Sequence, residues 1–141
     1  MKKLILLLAI SLFSITGVFA QYTVTVRWNA DNCNCSTATD SVFKVQLTIA
    51  DIANNVPDVI DLDGSANGTA NSKDFDVSDI ETYCADTSLT YTPSFMIYAG
   101  VQMECNFPPK IVICKGKGSF GPYSCLDFSQ GDIILPIIYL Q

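Results

Sequence analysis

Histidine is absent from the 141 residues of the chain. Its absence excludes Ser-His and Cys-His nucleophile pairs, an imidazole general base and the usual zinc ligand sets. Two carboxylates, Glu81 and Glu104, are the first pair left for glycoside hydrolysis, but the sequence does not define their separation. We therefore expect a protein that is not an enzyme and has no catalytic residues.

Basic residues are scarce as well. Lys2 and Lys3 belong to a predicted signal peptide, so the mature chain keeps six basic residues against fourteen acidic ones, a net charge of about −8. Binding to the phosphates of a nucleic acid needs clustered Lys and Arg side chains. The composition therefore argues against a nucleic-acid partner.

Residues 1–20 have the three parts of a secretion signal. A charged start precedes an apolar run over residues 4–13 that is too short to span a bilayer, and small residues lead up to Ala20. Cleavage there leaves residues 21–141, which is the size of one domain. The sequence predicts a secreted protein, extracellular or periplasmic.

All six cysteines follow the predicted signal peptide: Cys33, Cys35, Cys84, Cys105, Cys114 and Cys125. In an oxidising compartment such a set indicates disulfides rather than nucleophiles or zinc ligands. Only one residue separates Cys33 from Cys35, which strains a direct bridge, so each is expected to reach a different partner. A proline turn would bring Cys105 near Cys114, and a Gly-rich loop separates Cys114 from Cys125. The sequence does not choose between these pairings.

Hydrophobic periodicity predicts strands rather than helices. Apolar and polar residues alternate over residues 22–28, 43–49 and 95–103, the pattern of half-buried strands. Shorter apolar runs occupy residues 59–62, 111–114 and 133–140, and residues 77–83 fit one helical turn. Turn residues separate these runs, notably in the clusters at 64–72 and 115–122. The fold predicted is all-β, a single antiparallel β-sandwich stapled by disulfides.

The run over residues 133–140 is apolar on both faces, which predicts a central or covered strand. Its place at the end of the sequence also allows it to complete the sheet of a neighbouring molecule. A structural subunit that assembles by β-strand addition is therefore an alternative, with a homo-oligomer as its product.

Acidic residues concentrate in residues 51–86, which hold nine acids and one base, Lys73. Within this window seven residues match positions 1, 3, 5, 6, 7, 9 and 12 of a calcium-binding loop: Asp63, Ser65, Asn67, Gly68, Thr69, Asn71 and Asp74. Asp61 offers a further oxygen. The spacing predicts calcium as a cofactor. A plain acidic surface loop is the alternative, since the same residue types dominate solvated turns.

The start of the mature sequence resembles C2-type β-sandwiches. Residues 22–30 (YTVTVRWNA), a loop, and residues 39–47 (TDSVFKVQL) resemble their opening strands, and the cysteine-bearing loop and the later ILP strand resemble the extracellular C2-like module of Notch ligands. The resemblance implies a C2-like sandwich, an immunoglobulin-like one being the other option, whose end loops bind calcium, lipid headgroups or glycans. It matches Asp40 to the Asp leading the second strand, and Asp61 and Asp63 to a pair of calcium-binding aspartates.

The Gly-rich residues 115–123 (KGKGSFGPY) lack the spacing and the following helix of a phosphate-binding loop. On an exposed loop they offer four predicted ligand contacts: Lys115, Lys117, Phe120 and Tyr123. The alternative is that the two aromatic residues pack over the edge of the core. A sugar-binding platform of Trp28, Tyr91 and Tyr98 is less well supported, because alternation within strands favours packing.

These features predict a secreted recognition or adhesion module. It presents the acidic loop over residues 61–74 and the Gly-rich loop over residues 115–123 to an extracellular protein, a glycan or a membrane surface, either with calcium at the acidic loop or without it. The alternatives are the structural subunit described above and a small secreted hydrolase or inhibitor.

Overall fold

The computed structural model describes residues 22–33, 35, 41–105 and 111–141. The predicted signal peptide and Asp40, which the C2 resemblance singles out, lie outside the described residues. Within them the chain forms strands β1 (Thr23–Asn29), β2 (Ser41–Asp51), β3 (Val56–Asn67) and β4 (Ser72–Asp76), helix α1 (Asp79–Cys84), strands β5 (Phe95–Cys105) and β6 (Ile111–Tyr123), helix α2 (Cys125–Ser129) and strand β7 (Ile133–Tyr139).

The strands form two sheets with the orders β4-β1-β7 and β3-β2-β5-β6. Neighbouring strands are antiparallel except for β1 and β7, which are parallel. Buried side chains from both sheets form one hydrophobic cluster. The prediction of an all-β sandwich with mostly antiparallel strands is confirmed.

The alternation that predicted the strands also builds the core. In β2 the odd-numbered residues from Phe43 to Ile49 are buried, while Lys44 and Gln46 face solvent. In β1, Val24 and Val26 are fully buried between outward-facing neighbours. Burial of each such apolar side chain stabilises the folded state by about 1.5–3 kcal/mol.

Strand β7 differs from its prediction as a central or covered strand. It is an edge strand of the three-stranded sheet, and Ile134, Ile137 and Tyr139 are 59%, 45% and 66% exposed. The register with β1 shifts opposite Pro136, where two residues of β7 face one of β1. This bulge interrupts the alternation of buried residues, and the outward face remains apolar. The doubly apolar pattern therefore did not mean burial on both sides.

The prediction of a loop at residues 115–122 is wrong, because these residues lie inside β6 and pair with β5. The glycines fit close packing rather than turns. A Cβ atom on Gly116 would lie 2.7 Å from Cγ2 of Ile138, and one on Gly118 would lie 2.4 Å from the Phe120 ring. The predicted acidic loop is likewise strand β3 up to Asn67, followed by a short turn into β4.

All six cysteines are oxidised, as predicted, in the disulfides Cys33–Cys114, Cys35–Cys105 and Cys84–Cys125. The first two tie the segment after β1 to the β5–β6 hairpin, and the third joins α1 to α2. Neither pairing suggested by neighbouring cysteines forms. Three disulfides in a domain of this size indicate an oxidising environment. In the described part of the chain, no helix has the length and apolar character needed to cross a membrane.

Candidate functional site

The outward-facing residues of the four-stranded sheet form one continuous surface, called here the polar face. Strand pairing arranges most of it in three rows across β3, β2, β5 and β6. These rows are Asp61-Thr48-Tyr98-Ser119, Asp63-Gln46-Gly100-Lys117 and Ser65-Lys44-Gln102-Lys115. Glu104 extends the face at the end of β5. The acidic and Gly-rich segments, which the sequence predicted separately as ligand loops, form the two edges of this face. Nothing in the sequence indicated that they share a surface.

The polar face contains three adjoining depressions of about 500, 530 and 510 Å³. All three are lined by Gln46 of β2 and Gly100 of β5. A Cβ atom built on Gly100 would have no neighbour within 4 Å. The centre of the face is therefore open, and its walls combine amide, hydroxyl and charged groups with apolar surface.

Charge is divided across the polar face. Asp61 and Asp63 lie on β3 at one edge, and Lys115 and Lys117 lie on β6 at the other. Adjacent strands are about 4.8 Å apart, so the two edges are separated by about 14 Å. Asp61 accepts a hydrogen bond of 3.0 Å from the Thr48 hydroxyl. A ligand on this face meets acidic groups at one side and ammonium groups at the other.

The structure does not gather the predicted calcium ligands into one loop. Asp61, Asp63 and Ser65 project outward from β3 on the polar face. Asn67 accepts hydrogen bonds from the Thr69 backbone N–H (3.2 Å) and hydroxyl (2.8 Å), while Asn71 is an exposed residue after the turn.

The last predicted calcium ligand, Asp74, lies on β4 in the other sheet. It accepts a 2.8 Å hydrogen bond from the hydroxyl of Thr25, which also faces outward. The first and last positions of the predicted loop thus point to solvent from opposite faces of the sandwich. Among the residues that the structure describes, no three Asp, Glu, Cys or His side chains are placed to hold a metal ion. Calcium binding stays a prediction.

The four predicted ligand contacts on β6 separate into two groups. Lys115 and Lys117 are exposed on the polar face, whereas Phe120 and Tyr123 are partly buried against the core. The Tyr123 ring meets the Phe128 ring edge-on, with centroids 6.2 Å apart. The four residues therefore do not form one contact site.

The three residues considered as a sugar platform are also apart. Trp28 is buried, with its ring centroid 5.0 Å from that of Phe43. Tyr91 is exposed in the segment before β5. Tyr98 is 45% exposed on the polar face and is therefore the one aromatic side chain of this set that a ligand there can reach.

Glu81 and Glu104 lie at opposite ends of the sandwich. Glu81 is on α1, two residues before Tyr83. The Tyr83 hydroxyl contacts Asp51, and Asp51 pairs with the first residue of β5. Glu104 lies near the last residue of that strand. At 3.4 Å per residue, Phe95 and Glu104 at the two ends of this strand are about 31 Å apart. Glycosidase carboxyl groups are about 5–9.5 Å apart, so these two do not form a catalytic pair.

A buried carboxylate that the sequence did not single out is Asp51, at the end of β2. It is fully buried and accepts hydrogen bonds from the Tyr83 hydroxyl (3.0 Å), the Ser94 N–H (3.0 Å), the Ala53 N–H (3.0 Å) and the Asn54 side-chain amide. Burial acts to raise the pKa of Asp51, but these hydrogen bonds outweigh it and hold the pKa below its usual value. The sequence signal for this buried carboxylate was an aspartate at the end of an alternating strand, just before a turn with two asparagines.

The fold and this site define a disulfide-bonded β-sandwich with a polar sheet face that is acidic at one edge and basic at the other. No protein-family model, curated protein or solved structure matches the chain.

Proposed function

We propose that this protein is a secreted, non-catalytic recognition module that binds an extracellular ligand on the polar face. The depressions around Gln46 and Gly100 supply a concave surface of mixed apolar and polar groups, as ligand binding commonly uses. The two segments that the sequence predicts as ligand loops contribute the opposite edges of this one surface.

Gly100 is the single observation that carries the proposal. A glycine inside a strand weakens it, and usually marks a bulge, a bend or a place where another molecule approaches the backbone. The pairing of Gly100 is regular on both sides, its φ is not positive, and the space beside it is empty. Neither backbone geometry nor packing requires a glycine here, and the open space beside it suits the approach of a ligand.

The test is to fill this space without disturbing the fold. Residues 21–141, oxidised, are screened against neutral and acidic glycans, extracellular proteins and lipid vesicles, together with Gly100→Leu and the smaller control Gly100→Ala. We expect one ligand class to bind, with a loss of about tenfold or more in Gly100→Leu and little loss in Gly100→Ala. Both variants should melt no lower than the wild type, because neither side chain meets a neighbour at its Cβ.

Unchanged binding in a folded Gly100→Leu variant would contradict the proposal, and so would the absence of binding to every class. Binding that Gly100→Leu removes but Gly100→Ala keeps would place the ligand over the centre of the polar face.

The second candidate function is assembly with a second copy through β7. One observation favours it: β7 is an edge strand with exposed apolar side chains at Ile134, Ile137 and Tyr139. An edge strand with an apolar face is a template for pairing with another chain. Gln141, just after β7, is already paired with Lys115 of β6. The part of the β7 edge that can pair with another chain therefore lies before Gln141.

A further inference from the structure

We infer that the ligand of the polar face is an acidic oligosaccharide, with an anionic group at the Lys115 and Lys117 edge and hydroxyl groups over Gln46 and Gln102. This inference rests on the proposed function, since it names the class of ligand for the same surface. Cation placement, hydrogen-bonding chemistry and the position of the acidic side chains each support it.

Cations are concentrated on the polar face. Outside the predicted signal peptide the chain has six basic residues, and three of them, Lys44, Lys115 and Lys117, are exposed on this surface. Lys44 and Lys115 flank Gln102 in one row, about 10 Å apart across three strands. Within the described residues, the side-chain ammonium group of none of the three has a hydrogen-bond or ion-pair partner. In a protein with excess negative charge, this is where an anion meets ammonium groups that no carboxylate of the described residues holds.

The centre of the polar face suits a ligand rich in hydroxyl groups. Gln46 and Gln102 each carry a donor and an acceptor, and a sugar hydroxyl also acts as both. Tyr98, in the adjoining row, offers an exposed ring on which the apolar side of a sugar ring packs.

A protein ligand is less well matched to this surface. Protein interfaces depend on a cluster of buried apolar anchors. Among the described residues at this face, the large exposed apolar side chains are Tyr98, Ile113 and Tyr139, each on a different strand. A membrane surface would in turn meet the acidic edge at Asp61 and Asp63. The chemistry of the face therefore favours a glycan over the other two extracellular partners.

The acidic residues define how the ligand is charged. Asp61 and Asp63 line the edge opposite the two lysines, and Glu104 lies beyond Gln102 on β5. A densely charged polyanion would be repelled at these positions, whereas a chain with one acidic group for several neutral sugars is not. Asp63 also accepts hydrogen bonds from sugar hydroxyls. The expected ligand carries sparse acidic groups, either uronate carboxylates or sulfates.

The test uses calorimetry with oligosaccharides of matched length that are neutral, uronate-bearing or sulfated. We expect an acidic oligosaccharide to bind at least about tenfold more tightly than its neutral counterpart, with an affinity that falls as salt is added. The double variant Lys115→Gln, Lys117→Gln should lose about tenfold or more in affinity for it. Lys73→Gln, the same change on β4 of the other sheet, is the matched control and should bind normally.

A further variant, Glu104→Gln, should bind the acidic oligosaccharide more tightly, because it removes a negative charge near the anion. The uronate and sulfate arms distinguish the two sources of charge. Turnover of a glycan that is lost in Glu104→Gln would instead show a hydrolase and overturn the inference.

Equal binding of neutral and acidic oligosaccharides would overturn the inference, as would preference for an acidic peptide, no glycan binding, or unchanged binding in the double lysine variant. These results leave the proposed function standing as long as Gly100→Leu removes binding of whichever class is bound. A ligand whose binding is intact in Gly100→Leu would contradict both this inference and the proposed function.

Discussion

A single carboxylate, Asp51, joins three segments of the sandwich. Its oxygens accept hydrogen bonds from the turn after β2, from Tyr83 on α1 and from the backbone of Ser94 before β5. The most distant of these donors, Ser94, lies 43 positions from Asp51 in the chain. A buried charge is tolerated here because several donors replace the water that it has lost.

The variant Asp51→Asn keeps the shape of this side chain but turns part of an acceptor-only group into a donor that faces other donors. We expect it to lower the free energy of unfolding by about 2–3 kcal/mol, measured by urea denaturation. Asp58→Asn changes an exposed aspartate and is the control, expected to have little effect. Equal stability of the two variants would contradict the structural role of Asp51.

The pKa of Asp51 also predicts a dependence of stability on pH. Because its folded-state pKa lies below the usual 3.8, its contribution is present above that value and is lost as pH falls through the lowered pKa. The melting temperature of the wild type should therefore decrease as the pH is lowered from about 5 to about 2, and more steeply than that of Asp51→Asn. Hydrogen bonds likewise lower the pKa values of Asp86 and Asp127. The melting temperature of Asp51→Asn should therefore still fall at low pH, but less steeply.

Calcium binding at the acidic edge is tested at the same scale, by titrating residues 21–141 with calcium and following heat and melting temperature. A ligand that binds only the folded state raises the melting temperature by mass action. If Asp61 and Asp63 hold calcium, Asp63→Asn should lose both the heat and the shift, and Asp76→Asn on β4 should keep them. No shift at millimolar calcium would contradict the prediction and reduce the acidic segment to a solvated strand edge.

At the scale of elements, β6 and β7 form one corner of the sandwich. Gln141 exchanges two backbone hydrogen bonds with Lys115, at 3.1 and 3.2 Å, and the chain passes close above Gly116. A Cβ atom at Gly116 would lie 2.8 Å from the Tyr139 carbonyl oxygen. A side chain added at Gly116 would therefore clash with β7, whereas one added at Gly100 would enter open space.

Assembly through β7 makes a separate prediction for this element. If β7 pairs with a second copy, the protein should form oligomers that dissociate on dilution, and Ile137→Lys should make it monomeric without lowering its melting temperature, since Ile137 is exposed. Ser72→Lys adds the same charge at the opposite edge of that sheet and should not change the oligomeric state. Sedimentation of all three proteins measures this. A wild-type protein that is monomeric at all concentrations would exclude the second candidate function.

At the scale of the whole molecule, the disulfides connect parts of the chain that are far apart in the sequence. Cys33–Cys114 and Cys35–Cys105 span 81 and 70 positions and hold the segment after β1 against the β5–β6 hairpin. Cys84–Cys125 spans 41 positions and joins α1, which follows β4, to α2, which follows β6. Closing such loops stabilises mainly by restricting the unfolded chain.

The double variant Cys84→Ser, Cys125→Ser should remain folded but lose about 2–4 kcal/mol of stability. The two other disulfides and the shared core remain, so circular dichroism should keep its β-sheet signal while chemical denaturation shifts to lower denaturant. Ligand binding on the polar face should be unchanged, because this disulfide contacts α1 and α2 rather than that sheet face. Loss of folding would instead show that the helix pair is required for the sandwich.

The alternation of residues 22–28, 43–49 and 95–103 was enough to predict β1, β2 and β5, and the cysteines were enough to predict an oxidised, stapled domain. Both properties are local or compositional: side chains alternate across a strand whatever its neighbours are, and thiols oxidise according to their compartment. The assignment of residues 115–122 to a loop failed because glycine has two uses, and only the nearby Ile138 and Phe120 side chains show which one applies.

The sequence by itself determined the class of fold, the core positions of its clearest strands and the oxidised state of its cysteines. Only the tertiary structure decided which strands are neighbours, which cysteines pair, and that Asp61 and Asp63 share one surface with Lys115 and Lys117. These depend on register and packing between segments far apart in the chain, where many arrangements satisfy the same local pattern. The polar face, and with it the ligand class proposed here, exists only after that choice has been made.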